Sequence, residues 1–266
     1  MAVAPMGSSY VMPVGPRGSQ EDQALGQNGS LGSLKIFTWN VNGMRGEQRR
    51  QNVICRLRHL NADIYLIQET HLTKQELLSC PLSQYKIYCA PCNSKKRCGV
   101  ATLIKKCIQF SLIAGKRDPE GRYLIVEGSY VGAPLKLVNI YGPNKDDPKF
   151  FQDVFLDLEN SENIIIAGDF NTVMDPSKDR TTGLKRRSNS RNVIENYMLR
   201  NNLIDCWRED NPEVRQYTFR PPQSRIDFFL VNKSFEQNDN TIHDILISDH
   251  APVSVTLQFR HQLRVV

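Results

Sequence analysis

Four stretches of the chain are apolar and largely β-branched, and each runs into a polar cluster. Leu34–Thr38 leads to Trp39-Asn40-Val41-Asn42-Gly43, and Ile64–Ile67 to Gln68-Glu69-Thr70. Ile164–Ala167 leads to Gly168-Asp169-Phe170-Asn171, and Ile242–Ile247 to Ser248-Asp249-His250. Such runs read as buried strands. A core strand has no packing reason to finish in a carboxylate, so strands that all end in Asn, Glu, Asp or His predict one polar rim on a sheet core. There a hard cation and a general base could be assembled.

The same patterning predicts strands over 34–39, 63–68, 85–89, 99–104, 107–113, 123–131, 136–141, 163–169, 215–219, 225–231, 241–247 and 252–259. Helical spacing predicts helices over 47–60, 73–79, 148–159 and 190–202. In the first, Val53, Ile54, Leu57 and Leu60 share a face; the third opens on Pro148, where a missing N–H is harmless. Many strands with a few amphipathic helices predict an α/β fold of two packed sheets with helices outside. Residues 1–33 are rich in Gly, Ser, Pro and Gln without an apolar period and read as a disordered leader; the domain runs over 34–260, with 261–266 as a tail. The polar, basic stretch 175–190 reads as a surface loop.

The 266 residues, 40% hydrophobic, suffice for a substantial core. No apolar run approaches the roughly 20 residues that span a bilayer, and no signal peptide is read, so a nuclear or cytoplasmic, non-secreted protein without a membrane partner is expected. Its seven cysteines are then expected to be reduced thiols. Cys89-x-x-Cys92 with Cys98 lacks the second pair or His that a zinc site needs. A net charge of +6 leans toward polyanionic partners.

Within the clusters, Asp169 and Asn171 flank Phe170, and residues two apart in an extended segment share a face. Asn40 with Asn42, and Ile67 with Glu69, share parity in the same way, and at a strand-entry turn both Asp249 and His250 could line a pocket. Taken singly, each residue reads as a turn, a helix cap or a loop histidine. As a set they offer hard oxygen ligands (Glu69, Asp249), amides (Asn40, Asn171) and one His, with no thiolate placed among them. That set suits Mg²⁺ or Mn²⁺ assisting hydrolysis at phosphorus.

Together with Gln68-Glu69-Thr70-His71, Asn139-Ile140-Tyr141-Gly142-Pro143-Asn144 and Arg225-Ile226-Asp227, these clusters resemble the endonuclease/exonuclease/phosphatase (DNase I-like) superfamily over nearly all of residues 34–259. Within it the chain is most similar to the endonuclease domain of LINE-type non-LTR retrotransposons. The pointers are Glu69-Thr70-His71-Leu72, the stretch 117–123, Asn171-Thr172 with Asp179-Arg180, and Leu203-Ile204-Asp205 before Trp207. The resemblance implies a four-layer α/β sandwich and a Mg²⁺-dependent endonuclease that nicks duplex DNA and leaves a 3′-hydroxyl; a monomer is expected. It implies Glu69 as principal metal ligand with Asn40 and Asp249 nearby, and His250 at the scissile phosphate, oriented by Asp227. Asp169 would position or activate the water, Asn171 would hold water or phosphate, and Tyr141 would bond the phosphate or the carboxylates. Thr218, Arg180 and Arg225 are expected to face DNA. The segment between Phe219 and Ile226 is shorter than in related LINE domains, which predicts relaxed target choice. A phosphatase of the same superfamily and a non-catalytic nucleic-acid-binding relic are the alternatives.

Overall fold

The first strand, β1 (Leu34–Asn40), is buried on both faces, which is why it reads as a continuous apolar run rather than an alternating one. Leu34 and Ile36 join one apolar cluster while Phe37 and Trp39 join another. Between those faces the chain builds four layers. The computed structural model describes residues 32–92, 98–158, 161–182 and 187–260. The expected leader, but for its last two residues, lies outside the described residues, as do the tail 261–266 and the basic Lys185 and Arg186.

After β1 come α1 (Glu47–Leu60), β2 (Ile64–Gln68), α2 (Lys74–Leu78), β3 (Tyr85–Ala90), β4 (Val100–Lys105), β5 (Phe110–Arg117), β6 (Tyr123–Tyr130) and β7 (Ala133–Tyr141). Then follow α3 (Pro148–Leu156), β8 (Ile164–Asp169), α4 (Asn189–Arg200), β9 (Leu203–Asp205), α5 (Cys206–Asp210), β10 (Asp227–Asn232), β11 (Phe235–Ile242) and β12 (Val253–Phe259). They form two six-stranded mixed sheets, ordered β11-β12-β1-β2-β4-β3 and β5-β6-β7-β8-β10-β9. Val53, Ile54, Leu57 and Leu60 of α1 cover the outer face of the first sheet against Phe37, Tyr65 and Ile67. Phe151, Val154 and Phe155 of α3 and Ile194 of α4 cover the second against Val138, Ile140, Ile164 and Phe228. The inner faces meet through Ile36, Leu66, Val126, Leu137, Ile165 and Phe229. The expected four-layer α/β sandwich is the observed architecture.

Three local readings change. Residues 215–219 form no strand; Phe219 makes only isolated bridges, to Ser224 and His250. The run over 241–247 is not one strand: β11 ends at Ile242, and the residues beyond it are a loop entering β12. The apolar run misled because Ile245 and Ile247 pack on the core from that loop. Cys92 and Cys98 are bonded to each other, with Cα atoms 5.3 Å apart, so not every thiol is free. Cys89 is a buried free thiol.

Gly168 shows how closely the site's framework is packed. In the parallel β7–β8 ladder it faces Ile140, and a Cβ placed there would lie 1.9 Å from the Ile140 carbonyl oxygen. Gly168→Ala must push β8 away from β7. It is expected to lower unfolding free energy by about 1–3 kcal/mol, the usual scale of overpacking, or more. Urea denaturation checks this; an unchanged midpoint would refute the tight approach.

Candidate active site

Strand parity places four polar side chains on the inner faces of the two sheets, all at one rim. Asn40 follows Leu34, Ile36 and Thr38 at spacing two on β1. Tyr141 follows Leu135 and Leu137 on β7, Asp169 follows Ile165 and Ala167 on β8, and Asp227 precedes Phe229 and Val231 on β10. The registers bring them together. Tyr141 pairs with Asp169 in the parallel ladder, and Asp227 pairs with Asp169 in the antiparallel one.

The first sheet joins them through one carboxamide. Asn40 Nδ2 donates to Glu69 Oε1 and to Asp169 Oδ2, both at 2.9 Å, while its Oδ1 accepts from the Asn42 N–H at 2.9 Å. Asn40 was expected as a metal ligand. As placed, it is a tether between two carboxylates, one from each sheet.

Glu69 reaches the rim by leaving its strand. β2 ends at Gln68, and Glu69 takes a left-handed backbone with φ 51°, so its parity with Ile67 does not decide where it points. Asn42, His71 and Asn171 are also left-handed, with φ of 48°, 55° and 48°. Non-glycine residues are uncommon in this region, and their clustering at a site marks backbone held there by its surroundings. The holding bonds are visible: Gly43 N–H donates to Glu69 O at 2.8 Å, Met44 N–H to Thr70 O at 3.0 Å, and Asn171 N–H to Asp169 Oδ1 at 2.9 Å. Burial would raise the Glu69 carboxyl, but hydrogen bonds with His71, Asn40 and Tyr141 outweigh it and hold it down to about 2. It is therefore an ionised, hard oxygen donor.

His250 sits on the loop entering β12. Its Nδ1 lies 2.9 Å from Asp227 Oδ2, and its Nε2 lies 3.8 Å from Asp169 Oδ2. The backbone around it is pinned: Trp39 Nε1 donates to His250 O at 3.1 Å, Ser248 Oγ donates to Asn40 O at 2.7 Å, and His250 N–H donates to Ser248 Oγ at 3.2 Å. Burial alone would discharge the imidazole, but Asp227 and then Asp169 overcome it and push its pKa up. The Asp169 carboxyl is pushed up as well, by burial and by the negative Asp227, against the pull of His250. Asn171 Nδ2 donates to Gly142 O at 3.0 Å and Asn144 Oδ1 at 3.2 Å, and the Arg122 guanidinium lies 5.1 Å from the Tyr141 ring centroid.

The structure thus brings Asn40, Glu69, Tyr141, Asp169, Asn171, Asp227 and His250 to one rim. Asp249 is joined to them through Asn42 Nδ2, which donates to its Oδ1 at 3.0 Å. Two residues expected to face DNA lie in the interior instead. Arg225 is 1% exposed; its guanidinium binds Asp179 at 2.8 and 2.9 Å and Asp205 at 2.7 and 3.1 Å, in a network that Arg208 joins at Asp179. Thr218 is fully buried. Its Oγ1 accepts from the Ile226 and Asp227 N–H groups at 3.0 and 3.1 Å, and its carbonyl accepts from Ala251 N–H at 2.6 Å, so it braces the segments carrying Asp227 and His250. Of the three, Arg180 alone remains partly exposed, bridged to Ser224.

Sequence reasoning assigned no role to Asn42, His71 or Arg49. His71 Nε2 lies 3.0 Å from Glu69 Oε2. Arg49 of α1 donates to the carbonyls of Val41 at 2.8 Å, Gly43 at 3.2 Å and Ile247 at 2.6 Å, clamping both rim loops. Asn42 and His71 stand inside the quoted motifs and could have been found there; Arg49 looks like any solvated helix arginine.

The donor set fits a hard divalent cation. Carboxylate oxygens dominate it, and ligand atoms of Asp169, Asp227 and His250 all lie within 4.8 Å of one another. The last trio is already closed by the short His250–Asp227 contact, while the ionised Glu69 is a carboxylate that could also hold such a cation.

A family model for the endonuclease/exonuclease/phosphatase family matches residues 37–250, the span that carries every one of these groups. The chain belongs to that family. It is 29% identical over 244 residues to the Transposon TX1 uncharacterized 149 kDa protein of Xenopus laevis; the match covers 87% of the chain but only 18% of that relative. It is 24% identical over 257 residues to an exodeoxyribonuclease of Bacillus subtilis, covering 84% of the chain and 99% of the relative. Among solved structures, an AP endonuclease from Leishmania major superposes with a TM-score of 0.71 at 22% identity, over 86% of this chain and 88% of that one. An AP endonuclease from Archaeoglobus fulgidus gives 0.65 at 20% identity, over 86% and 100%. These structures share the fold, and the transposon relative agrees with the likeness to LINE-type endonuclease domains. Among the described residues no helix is long and apolar enough to cross a membrane.

Placing Arg225 in the family framework as a buried strut has a measurable consequence. Arg225→Met leaves Asp179 and Asp205 buried without their partner and is expected to cost about 3–5 kcal/mol of stability. Were the folded protein to bind DNA, the salt dependence of that binding is expected to stay unchanged. A slope reduced by about one would instead mark a phosphate contact.

Proposed function

We propose that the chain is a divalent-metal-dependent DNA endonuclease that nicks duplex DNA and leaves a 3′-hydroxyl, the target-nicking chemistry implied by its likeness to LINE-type domains. The observation that carries this reading is the convergence on one rim of an ionised Glu69, a His250–Asp227 pair 2.9 Å apart and a buried Asp169 linked to Glu69 through Asn40. Nuclease relatives, and a transposon protein among the matches, support it.

Each residue then has a defined task. Asp227 holds one imidazole tautomer and favours the charged ring, so His250 Nε2 presents a proton toward Asp169 and the rim. That proton can stabilise the negative charge that accumulates at the pentavalent centre and then pass to the leaving 3′ oxygen as the P–O3′ bond breaks, which yields the 3′-hydroxyl. Asp169, whose carboxyl is pushed up by burial and by Asp227, is suited to take a proton from the attacking water near neutral pH. Asn171, Asn144 and Gly142 form a polar wall beside it that orients water or phosphate. Tyr141 and His71 hold Glu69. Mg²⁺, with Mn²⁺ as a substitute, would be held by Glu69 with Asp249 and would supply Lewis-acid neutralisation of the phosphate's charge. DNA is the partner, in the nucleus or cytoplasm, with a monomer the expected state.

Nicking of supercoiled plasmid is expected in Mg²⁺ and absent in EDTA. Glu69→Gln keeps the side-chain volume but removes the charge that holds a hard cation, so most nicking should be lost at limiting Mg²⁺ with the melting temperature retained. Near wild-type nicking by that variant would show that Glu69 is not the metal ligand.

His250→Ala is expected to lower turnover at least about a hundredfold, the scale of a lost acid–base or charge-stabilising group. Asp227→Asn should act in the same direction. Because the two work as one unit, the double variant should be little worse than His250→Ala. Fully multiplicative losses in single-turnover nicking would show that Asp227 does not act through the imidazole.

A further inference from the structure

The apolar stretch Ile245-Leu246-Ile247 stands directly before Ser248-Asp249-His250, and the strand ladder does not absorb it. Ile245 packs on the core between the sheets and Ile247 on the outer cluster of the first sheet. Leu246, between them, is 67% exposed. It stands on one lip of a groove of about 490 Å³ whose other wall carries Arg215, Tyr217, Phe219 and Arg220. The two walls are tied together: Gln216 Nε2 donates to Ile242 O at 3.0 Å, and the Arg220 N–H donates to Asp249 O at 3.2 Å. The Phe219 ring, part of the groove, lies 4.7 Å from the His250 ring. The groove therefore opens beside the catalytic histidine.

We propose that Leu246 is a wedge that enters duplex DNA at the base step beside the scissile phosphate, and that the groove receives the strand it displaces. This rests on the DNA-nicking reading above. Three observations select that occupant. The wall opposite Leu246 offers two exposed arginines, and Asp244 is the single acid in the lining, so the groove's charge complements a phosphate backbone. Tyr217 and Phe219 supply faces on which an unstacked base can lie. Among the described residues the neighbouring turn offers no second device for opening DNA at this point, because Phe219 and Ser224 close it immediately on their own bridge. An apolar side chain inserted between base steps unstacks and kinks a duplex. Leu246 is held for that task, since Arg49 Nη1 grips the next carbonyl, Ile247 O, at 2.6 Å. Nicks should then fall where a step opens easily, such as pyrimidine–purine steps, without a base-specific consensus.

The test compares kcat/KM for nicking of a fully paired duplex with that for the same duplex carrying a mismatch at the step beside the nick. Leu246→Ala should lose about tenfold on the paired duplex, the scale of one apolar side chain's burial, and far less on the mismatched one. Leu246→Met should restore the paired rate. A 2-aminopurine at that step should brighten when wild-type protein binds and stay dim with Leu246→Ala. Equal losses on both duplexes, or brightening that survives Leu246→Ala, would overturn the wedge while leaving the nicking activity intact. A wild-type protein that nicks neither duplex in Mg²⁺ would overturn the nuclease reading, and the wedge with it.

Discussion

One carboxamide, that of Asn40, stands between the two sheets and decides whether there is a site at all. Its nitrogen bridges Glu69 of the first sheet and Asp169 of the second, and its oxygen is fixed by the Asn42 amide. Two buried carboxylates approaching each other would ordinarily repel, and their desolvation would disfavour folding. Two N–H donors from one side chain satisfy both at once. The geometry of that bridge fixes the spacing of the sheets at this rim, and so the reach between Glu69 and the His250–Asp227 pair.

A second polar contact lies beneath the rim. Gln68 Nε2 donates to Thr38 Oγ1 at 3.0 Å and to Asn139 Oδ1 at 2.8 Å, and Asn139 Nδ2 donates to Ala101 O at 2.9 Å. These are buried groups in an otherwise apolar interior. A bond of this kind adds only about 1 kcal/mol net, but leaving either partner unpaired costs about 1–3 kcal/mol. Any slip of one sheet over the other would break several of them together. A purely hydrophobic interface tolerates such sliding more readily, because burial is not directional. The polar contacts therefore buy register, and with it the alignment of Asn40 with Asp169.

Much of this was legible in the chain. Strands buried on both faces leave unbroken apolar runs, and a polar residue ending such a run stands out; Asn40 and Asp169 follow directly from that pattern, while Asp227, which opens its strand, came only with the family resemblance. Glu69 and Asn171 were found as residues, but their directions were not, because a left-handed φ breaks parity; Asn tolerates that region and hints at it, whereas nothing in a Glu announces it. Arg225 was misplaced for a different reason. A charged residue reads as solvated unless its counter-charges are known, and Asp179 and Asp205 lie 46 and 20 residues away in sequence. The run ending at Ile247 misled because apolar content reports burial and carries no information on hydrogen bonding: Ile245 and Ile247 pack on the core, partly buried, from a loop.

The loop so anchored explains how a rigid framework can hold a reactive centre. His250 needs Asp227 behind it and Asp169 near it, which places three titratable groups in a space almost without water. The imidazolium offsets one of the two negative charges, and burial together with Asp227 relieves the remaining excess by favouring a proton on Asp169. A cation or the proton of an attacking water meets that same excess. The electrostatic discomfort of the rim and its suitability for a cation therefore have one cause. The framework that sustains both consists of Arg49 on the loops, Thr218 under Asp227 and the Arg225 ion pairs behind it. None of these belongs to the carboxylate–imidazole cluster itself, and each braces the strained, charged arrangement around it.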